Sequence, residues 1–341
     1  MNVSEGVSLT TYSTMGLGGT AAYLTEVTSR TEVIEAVAWA NQKQLPMIMI
    51  GGGSNIVWRD EGFNGLVIVN KIMGFNIQIN GGEYDVTVAA GESWDSVVAR
   101  TVEAGLTGIE ALSLIPGTAG ATPIQNVGAY GQEISQSLIS LEAYDTQTGE
   151  FVTIGQADCG FSYRNSRFKS GDRGRYLITL IDLKLSKANP GPPFYASVQA
   201  YFDNRGITDV TPAKLRQAVI EIRRAKLPDP AVVHNTGSFF ANPIIDREQY
   251  DKLIKQFVDL PSWELVNDSV KLSAAWLIEQ AGFKDFHDNE TGMATWPQQP
   301  LVLVNEHARS TADLLAFKQK IIDSVQAKFG ITLVQEPEML P

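Results

Sequence analysis

The chain has 341 residues, 44% of them apolar and 19% charged, and carries a net charge of −11; this is the make-up of a soluble globular protein of two or three domains with an ample core. The acidic balance excludes a broad nucleic-acid-binding surface and leaves only local basic clusters as phosphate sites. A single cysteine, Cys159, excludes a disulfide framework, and His234, His287 and His307 lie too far apart to show ligand spacing, so no metal is expected. Met1–Thr10 has neither the basic nor the apolar region of a signal peptide, and no apolar run reaches membrane-spanning length, so a cytoplasmic protein is expected.

In chain order, a glycine-rich lead-in, Thr11–Gly19, precedes Ser29-Arg-Thr-Glu32, which fits a capping box. Val33, Ile34, Val37 and Ala38 follow at helical spacing, and the helix should end near Pro46. Met47–Ile50 is a short apolar strand running into Gly51-Gly-Gly-Ser-Asn55, and Leu66–Val69 is the next expected strand. Tyr84–Ala90 alternates as a strand does, and Glu92–Ala104 reads as a helix stopped by Gly105. Strands are expected at Leu138–Asp145, Glu150–Ile154 and Tyr176–Leu185. Thr211-Pro212 opens a helix that runs to about Arg224, and Lys226-Leu-Pro-Asp-Pro230 is a rigid linker and a domain boundary. Beyond it come a helix at Ser273–Gln280, a buried strand at Leu301–Val304, and a long helix capped by Ser310-Thr-Ala-Asp313 and stopped by Gly330. A strand at Ile331–Val334 would complete a right-handed crossover.

Two stretches stand apart from this periodic pattern. Ile115–Gly131 holds four glycines and two prolines in seventeen residues and follows neither a helical nor an alternating period. Its glycines permit close approach of main-chain N–H groups to an anion. Gly51–Asn55 follows a strand, but it lacks the third glycine of a dinucleotide fingerprint, and the chain has no Gly-Lys pair for a P-loop. Alone it reads equally as a tight turn; paired with the second loop it suits a dinucleotide bound without a helix dipole. Tyr163-Arg-Asn-Ser166 is either a solvated loop or a carboxylate clamp built on the planar guanidinium. Arg223-Arg-Ala-Lys226 either complements a helix C-terminus or binds a diphosphate. Ser238 has no nucleophile elbow around it, and Glu336 and Glu338 read by default as a solvated tail.

Taken in order, Gly51–Asn55, Ile115–Gly117 with Gln125–Gly131, Tyr163–Ser166, Lys226–Pro230, Gly237–Pro243 and Glu336–Glu338 closely resemble the UDP-N-acetylenolpyruvoylglucosamine reductases, in particular their long-chain subtype. The resemblance spans nearly the whole chain. It implies an α+β fold: a two-part FAD-binding region of the PCMH/vanillyl-alcohol-oxidase type plus a smaller α+β substrate-binding domain. Residues 1–70 and 71–225 would form the two FAD-binding subdomains and 226–330 the substrate-binding domain. Residues 331–341 would return a glutamate to the active site. It further implies an oxidoreductase of peptidoglycan synthesis that takes NADPH and UDP-N-acetylglucosamine enolpyruvate, acts as a monomer, and has neither a nucleic-acid partner nor a membrane insertion. Hydride would pass through flavin N5, followed by protonation from Ser238.

The same resemblance assigns roles residue by residue. Arg164, Ser238 and Glu338 are the implied catalytic residues. Gly51, Gly52, Gly53, Ser54, Asn55, Pro116, Gly117, Thr118, Gly120, Ala121, Gln125, Asn126 and Gly128 would hold FAD without a covalent bond, since no histidine lies in the first loop. Tyr130, Tyr163, Tyr195, Arg223, Lys226 and Asn242 would contact the nucleotide substrates. Two departures stand out. Ala241 replaces the lysine usual in the family, and Met339-Leu-Pro341 replaces its common Val-Arg-Phe continuation after the glutamate.

Overall fold

Apolar residues three and four apart generate the first helix, α1 (Arg30–Gln42), whose buried stripe is Val33, Ala36, Val37 and Ala40. In the computed structural model, which describes residues 1–265 and 267–341, the Ser29 hydroxyl caps this helix by accepting from the Glu32 amide. The capping box closes only halfway. The Glu32 carboxylate turns instead to the amide and hydroxyl of Thr28, at 2.6 and 2.8 Å.

The chain divides into two units, the first formed by Met1–Val7, Ala21–Gly52 and Phe63–Arg224, the second by Ser8–Thr20, Gly53–Gly62 and Ala225–Pro341. Residues 8–20 and 53–62, assigned from the sequence to the first FAD subdomain, thus fold with the C-terminal part of the chain. The passage between units after Arg224 falls within the last turn of a helix, just ahead of the expected linker.

In the first unit, α1 packs its stripe with Val27, Leu66 and Ile68 of a sheet ordered Ser4–Ser8, Thr20–Val27, Phe63–Asn70, Met47–Ile50. The last three strands run parallel. Sequence reading missed the first two of the four, because Ser4–Ser8 carries one apolar side chain, Val7, and Thr20–Val27 does not alternate strictly. A second, antiparallel sheet is ordered Glu150–Gly155, Leu138–Asp145, Tyr176–Leu185, Glu83–Ala89, Phe75–Asn80. Helix α2 (Trp94–Glu103) packs Trp94, Val97 and Val98 into its core. Helices α3 (Ala196–Arg205) and α4 (Pro212–Lys226) share a smaller cluster built on Val198, Phe202, Leu215 and Val219. The sequence reading found α4 from its cap and proline but not α3, whose apolar stripe is short.

The second unit holds helices α5 (Arg247–Ile254), α6 (Ala274–Gln280) and α7 (Thr311–Phe329). Ser310 and Asp313 close a full capping box on α7, its inner face is Leu314, Phe317, Ile321, Val325 and Phe329, and Gly330 ends it at φ +67°. These side chains share a core with Phe239, Phe240 and Leu303. One sheet is ordered His234–Ser238, Gln299–Asn305, Met293–Trp296, His287–Asp288, and a smaller one Ile244–Asp246, Ser269–Leu272, Ser262–Glu264. The expected strand at Ile331–Val334 does not form. Ile331 and Leu333 are buried and their neighbours exposed, so the alternation is real, but the segment makes only scattered backbone bonds, such as Ala241 N–H to Val334 O at 2.9 Å. The strand that does form is Glu338–Leu340, and it runs parallel to Ile56–Trp58 rather than completing a crossover beside Gln299–Asn305. No helix among the described residues is long and apolar enough to cross a membrane.

At one end of the paired strands Leu138–Asp145 and Tyr176–Leu185, Arg175 forks onto Asp145 at 3.0 and 2.6 Å, and this holds the buried Asp145 carboxyl at about 2 against an ordinary 3.8. A carboxylate depressed in the folded state contributes stability that is complete above its unfolded value and is lost as pH falls through the folded one. Arg175→Met should therefore lower stability at pH 7, where the contribution of the ionised carboxylate is complete. The gap from the wild type should narrow as pH is lowered from 5 to 3, as read from urea midpoints. A gap independent of pH would assign the loss to packing instead.

Candidate active site

Gly51 and Gly52 leave the C-terminal end of the parallel strand Met47–Ile50 and meet the second glycine loop directly. A β-carbon on Gly51 would stand 2.2 Å from Thr118 Oγ1, and one on Gly52 would stand 3.0 Å from Gly117 Cα. Their missing side chains therefore serve loop-to-loop contact, main chain on main chain. The second loop is tied down in turn: Ala119 N–H donates to Glu92 O and Gly120 N–H to Ala90 O, both at 2.9 Å, while Gly117 O accepts from Trp94 N–H at 3.1 Å. Gly120 is pressed against Ala90, where a β-carbon would meet Ala90 Cβ at 2.4 Å.

The entry to this loop is fixed by a partly buried ion pair. Arg216 on α4 donates to both carboxylate oxygens of Asp95 on α2, at 2.6 and 3.0 Å, and to Ser113 Oγ at 2.8 Å. Asp95 also accepts from the Leu114 amide at 2.5 Å, and Leu114 adopts φ +57°. Burial acts to raise the Asp95 carboxyl, but Arg216, the Leu114 amide and nearby Arg223 outweigh it and leave the group below its usual range. Asp95 and Arg216 lie 121 residues apart, and no local pattern in the sequence marks either one.

The far end of the loop carries Arg164. Asn126, Tyr130 and Arg164 have φ of +49°, +49° and +54°, a concentration of left-handed non-glycine residues of the kind found where a site holds strain. Arg164 Nη2 donates to Gly128 O at 2.8 Å, and its guanidinium lies 5.3 Å from the Tyr163 ring centroid. A β-carbon on Gly128 would meet Glu133 Cγ at 2.8 Å and Arg164 Nη1 at 3.1 Å. The glycine thus makes room for the arginine. Asn126 is 1% exposed, and its amide is used internally, donating to Glu133 Oε2 and Ser162 O and accepting from Ser135 N–H. This side chain stitches the hairpin to the Tyr163 loop. Lys169 Nζ to Gln125 Oε1 at 3.3 Å and Ser166 Oγ to Ile124 O at 2.6 Å are further stitches.

Tyr130, Tyr195 and Arg223 come together as well. The two phenol rings pack edge to face at 5.6 Å. Burial pushes the Tyr130 phenol up while Arg223, its hydrogen-bond partner, pulls it back, and burial holds the Arg223 guanidinium below its ordinary value. Arg223 Nε is buried with no partner among the described residues. A buried guanidinium with a donor unspent calls for an acceptor that the protein itself does not supply. Lys226, three residues on, is solvent-exposed, yet desolvation by surrounding protein still holds its ammonium below the usual lysine range.

In the second unit, Gly53 adopts φ +69°, and its carbonyl accepts from Thr14 N–H at 3.1 Å. Ser238 follows a break in register between Asn235 and Ser238, where Gly237 takes φ +71° and donates to Asn235 Oδ1 at 2.8 Å. A bulge of this kind re-aims the side chain that follows it. Asn242 Oδ1 accepts from the Ala274 amide at 3.0 Å, helping Ser273 to cap α6. Glu338 pairs with Ile56, and its amide donates to Asn55 O at 2.9 Å, so the first glycine loop and the last of the sequence motifs meet on one strand pair. Ala241, in place of a lysine, contributes only its backbone, through Val334 O.

Neither glycine loop contains a carboxylate over residues 51–55 or 115–131. Main chain and small side chains form their surface, which suits a flat ligand bearing a pyrophosphate; the residues present fit FAD. Among the described residues no group of histidine, cysteine, aspartate or glutamate could hold a metal. Cys159 is buried, with burial pushing its thiol up to about 11, so it is not a nucleophile.

Comparison with known proteins agrees with this geometry. Residues 21–155 match the model of the FAD binding domain, and residues 229–340 match that of the UDP-N-acetylenolpyruvoylglucosamine reductase C-terminal domain. The chain is 40% identical over 336 residues to a UDP-N-acetylenolpyruvoylglucosamine reductase of Cupriavidus pinatubonensis, covering 98% of each chain. It is 41% identical over 338 residues to the one of Alcanivorax borkumensis, covering 99% of this chain and 96% of that one. The fold is similar to that of the reductase from Thermus caldophilus, with a TM-score of 0.68, 23% identity and full coverage of both chains. The expected α+β class, a FAD-binding region followed by a smaller second region, is thereby borne out.

Because Gly120 is packed on Ala90 backbone, Gly120→Ala must displace the loop. The substitution should destabilise the protein by about 1–3 kcal/mol and lower the flavin-to-protein absorbance ratio after purification. Wild-type melting and flavin content together would show that the loop tolerates the methyl group.

Proposed function

The chain belongs to the UDP-N-acetylenolpyruvoylglucosamine reductase family, and from that premise we propose that it reduces UDP-N-acetylglucosamine enolpyruvate to UDP-N-acetylmuramate at the expense of NADPH. The observation that carries this reading is the buried Arg223, with a donor unspent beside Tyr130 and Tyr195. A nucleotide diphosphate supplies the acceptor that this guanidinium lacks, and Tyr195, 46% exposed, is free to fold over it. Lys226 adds charge to the same diphosphate, and Asn242 and Tyr163 contact the rest of the nucleotide substrate. This nucleotide-sugar chemistry belongs to cell-wall synthesis, and the protein acts in the cytoplasm as a monomer.

FAD, when bound, supplies through its N5 the two-electron relay between NADPH and the enolpyruvyl double bond. Gly51–Asn55, Pro116–Thr118, Gly120, Ala121, Gln125, Asn126 and Gly128 would hold it without a covalent bond. The chain's own residues manage charge and protons. As the methylene carbon of the enol ether gains hydride, an electron pair develops on the neighbouring carbon and spreads into the carboxylate. Arg164, fixed by Gly128 O and by the Tyr163 ring, stabilises that charge in place, without reorganisation. Glu338 orients the same carboxyl group. Ser238 donates its hydroxyl proton to the carbon that bears the electron pair; the O–H bond breaks as the C–H bond forms, and solvent returns the proton. A serine is a weak acid in water, but beside a carbanion in a dry site it need move its proton only a hydrogen-bond length.

The purified protein should be yellow, acid should release free FAD, NADPH should bleach the colour, and the enolpyruvyl sugar nucleotide should restore it. Ser238→Ala should leave bleaching by NADPH nearly unchanged while slowing the return of colour by roughly 10²–10⁴-fold. Arg164→Met should keep FAD and lose about 10²–10³-fold in the same step. Equal losses in both half-reactions would remove these residues from the assigned roles.

A further inference from the structure

Glu338 is delivered by a segment whose register is passed across a proline. Glu336 N–H donates to Phe239 O at 2.9 Å, and Glu338 N–H donates to Asn55 O at 2.9 Å. Between them stands Pro337, buried and without an N–H to give, so the main-chain ladder is broken one residue before the glutamate. Gln335 spans that break with its side chain. Its Nε2 donates to Pro337 O at 2.7 Å, and its Oε1 accepts from Lys318 Nζ at 3.2 Å. The peptide joining Pro337 to Glu338 is therefore gripped on both edges, its carbonyl by Gln335 and its amide by Asn55. A planar peptide held on both edges has one orientation, and pairing of Glu338 with Ile56 fixes the next step of the chain.

Lys318 reaches this point from the second turn of α7, partly buried. Burial, and then the charge of Arg59, hold its ammonium below the usual lysine range. The lysine gives its hydrogen bond to an uncharged amide oxygen, which leaves that amide's N–H₂ end turned toward Pro337.

We propose that Gln335, anchored by Lys318, is a positioning residue for Glu338: the pair sets the direction in which the Glu338 carboxylate leaves the strand. The inference rests on the role given to Glu338 in the preceding section. Its signature is an effect on the second half-reaction that exists only while Glu338 is a carboxylate.

The test is a double-mutant cycle with Gln335→Met, which keeps side-chain length and removes both hydrogen bonds, made alone and together with Glu338→Gln. Each half-reaction is followed by flavin absorbance, with the thermal midpoint and flavin content measured alongside. Gln335→Met alone should leave reduction by NADPH within about twofold and slow reoxidation by the enolpyruvyl substrate about tenfold, as for a reacting group displaced by a fraction of an ångström. In the Glu338→Gln background it should add less than about twofold, because residues acting through one another are not additive. An equal slowing in both backgrounds, or in both half-reactions, would overturn the inference. If Glu338→Gln itself reoxidises at the wild-type rate, the reading of Glu338 fails first, and any surviving effect of Gln335→Met reports scaffolding alone, which also overturns the proposal. Should Gln335→Met lose FAD, Lys318→Met leaves Gln335 in place without its anchor. It should show a smaller slowing confined to the second half-reaction, and no slowing there would count against the pair.

Discussion

The parallel pairing of Ile56–Trp58 with Glu338–Leu340 is the constraint on which the second unit depends. Parallel neighbours need a crossover, and here nearly the whole chain lies between the two strands. The three-residue segment is braced on every side. Ser13 Oγ donates to Ile56 O at 2.7 Å, Thr311 Oγ1 to Trp58 O at 2.6 Å, and Arg59 N–H to Leu340 O at 3.1 Å. Asp60 accepts from the first amides of α7 at 2.7 and 2.9 Å, a carboxylate set where the helix dipole favours it. Through these bonds the N-terminal lead-in, the end of the first glycine loop, the long helix and the C-terminal residues become one structure. Met339-Leu-Pro341 departs from the family's usual continuation, yet Leu340 is buried and Met339 pairs with Val57, so the short tail still holds its place.

In the first unit the comparable constraint is the Asp95–Arg216 pair. It ties α2 to α4 and, through the Leu114 amide and Ser113, sets the start of the second glycine loop. The pair acts through geometry: the two-pronged donation of the guanidinium to both carboxylate oxygens fixes how the two helices meet. Its position explains why it is there. The start of the loop it holds is rich in glycine and small side chains, and Gly51 and Gly120 are in contact tighter than a methyl group would allow, with Gly52 little better placed. The glycines permit close packing; the ion pair determines where that packing happens.

The two sets of restraints divide the chemistry in a consistent way. Residues proposed to carry charge or protons sit on rigid supports: Arg164 on Gly128 O, Ser238 behind a register break, Glu338 on a strand pair. Those proposed to close on the nucleotide are freer, Tyr195 being exposed at the start of α3 and Lys226 at the end of α4. Reacting groups lose rate when they drift, whereas groups that admit and release a ligand must move.

Much of this was legible in the chain alone. Residues that act through local rules were read correctly: Ser29 as the cap of α1, the capping box of α7, the proline at the start of α4, and the strands Leu138–Asp145 and Tyr176–Leu185, while the order of the two glycine loops and the later motifs identified the family. Local rules misled where pairing decides the outcome. Ile331–Val334 alternates like a strand but finds no continuous partner, while Glu338–Leu340, too short to show a pattern, is a strand because Ile56–Trp58 lies beside it. Nor does the sequence show that Asn126 ties its loop to Glu133 and Ser162, or that Gly120 packs on Ala90. Asp95, Arg216, Lys318 and Gln335 gave no signal at all, because each acquires its role from a partner distant in the chain or from the path the backbone takes around a proline. Sequence periodicity and capping report interactions within a few residues; the direction of a carboxylate, and which of a loop's residues faces a ligand, are settled only when remote segments are brought into hydrogen-bonding distance.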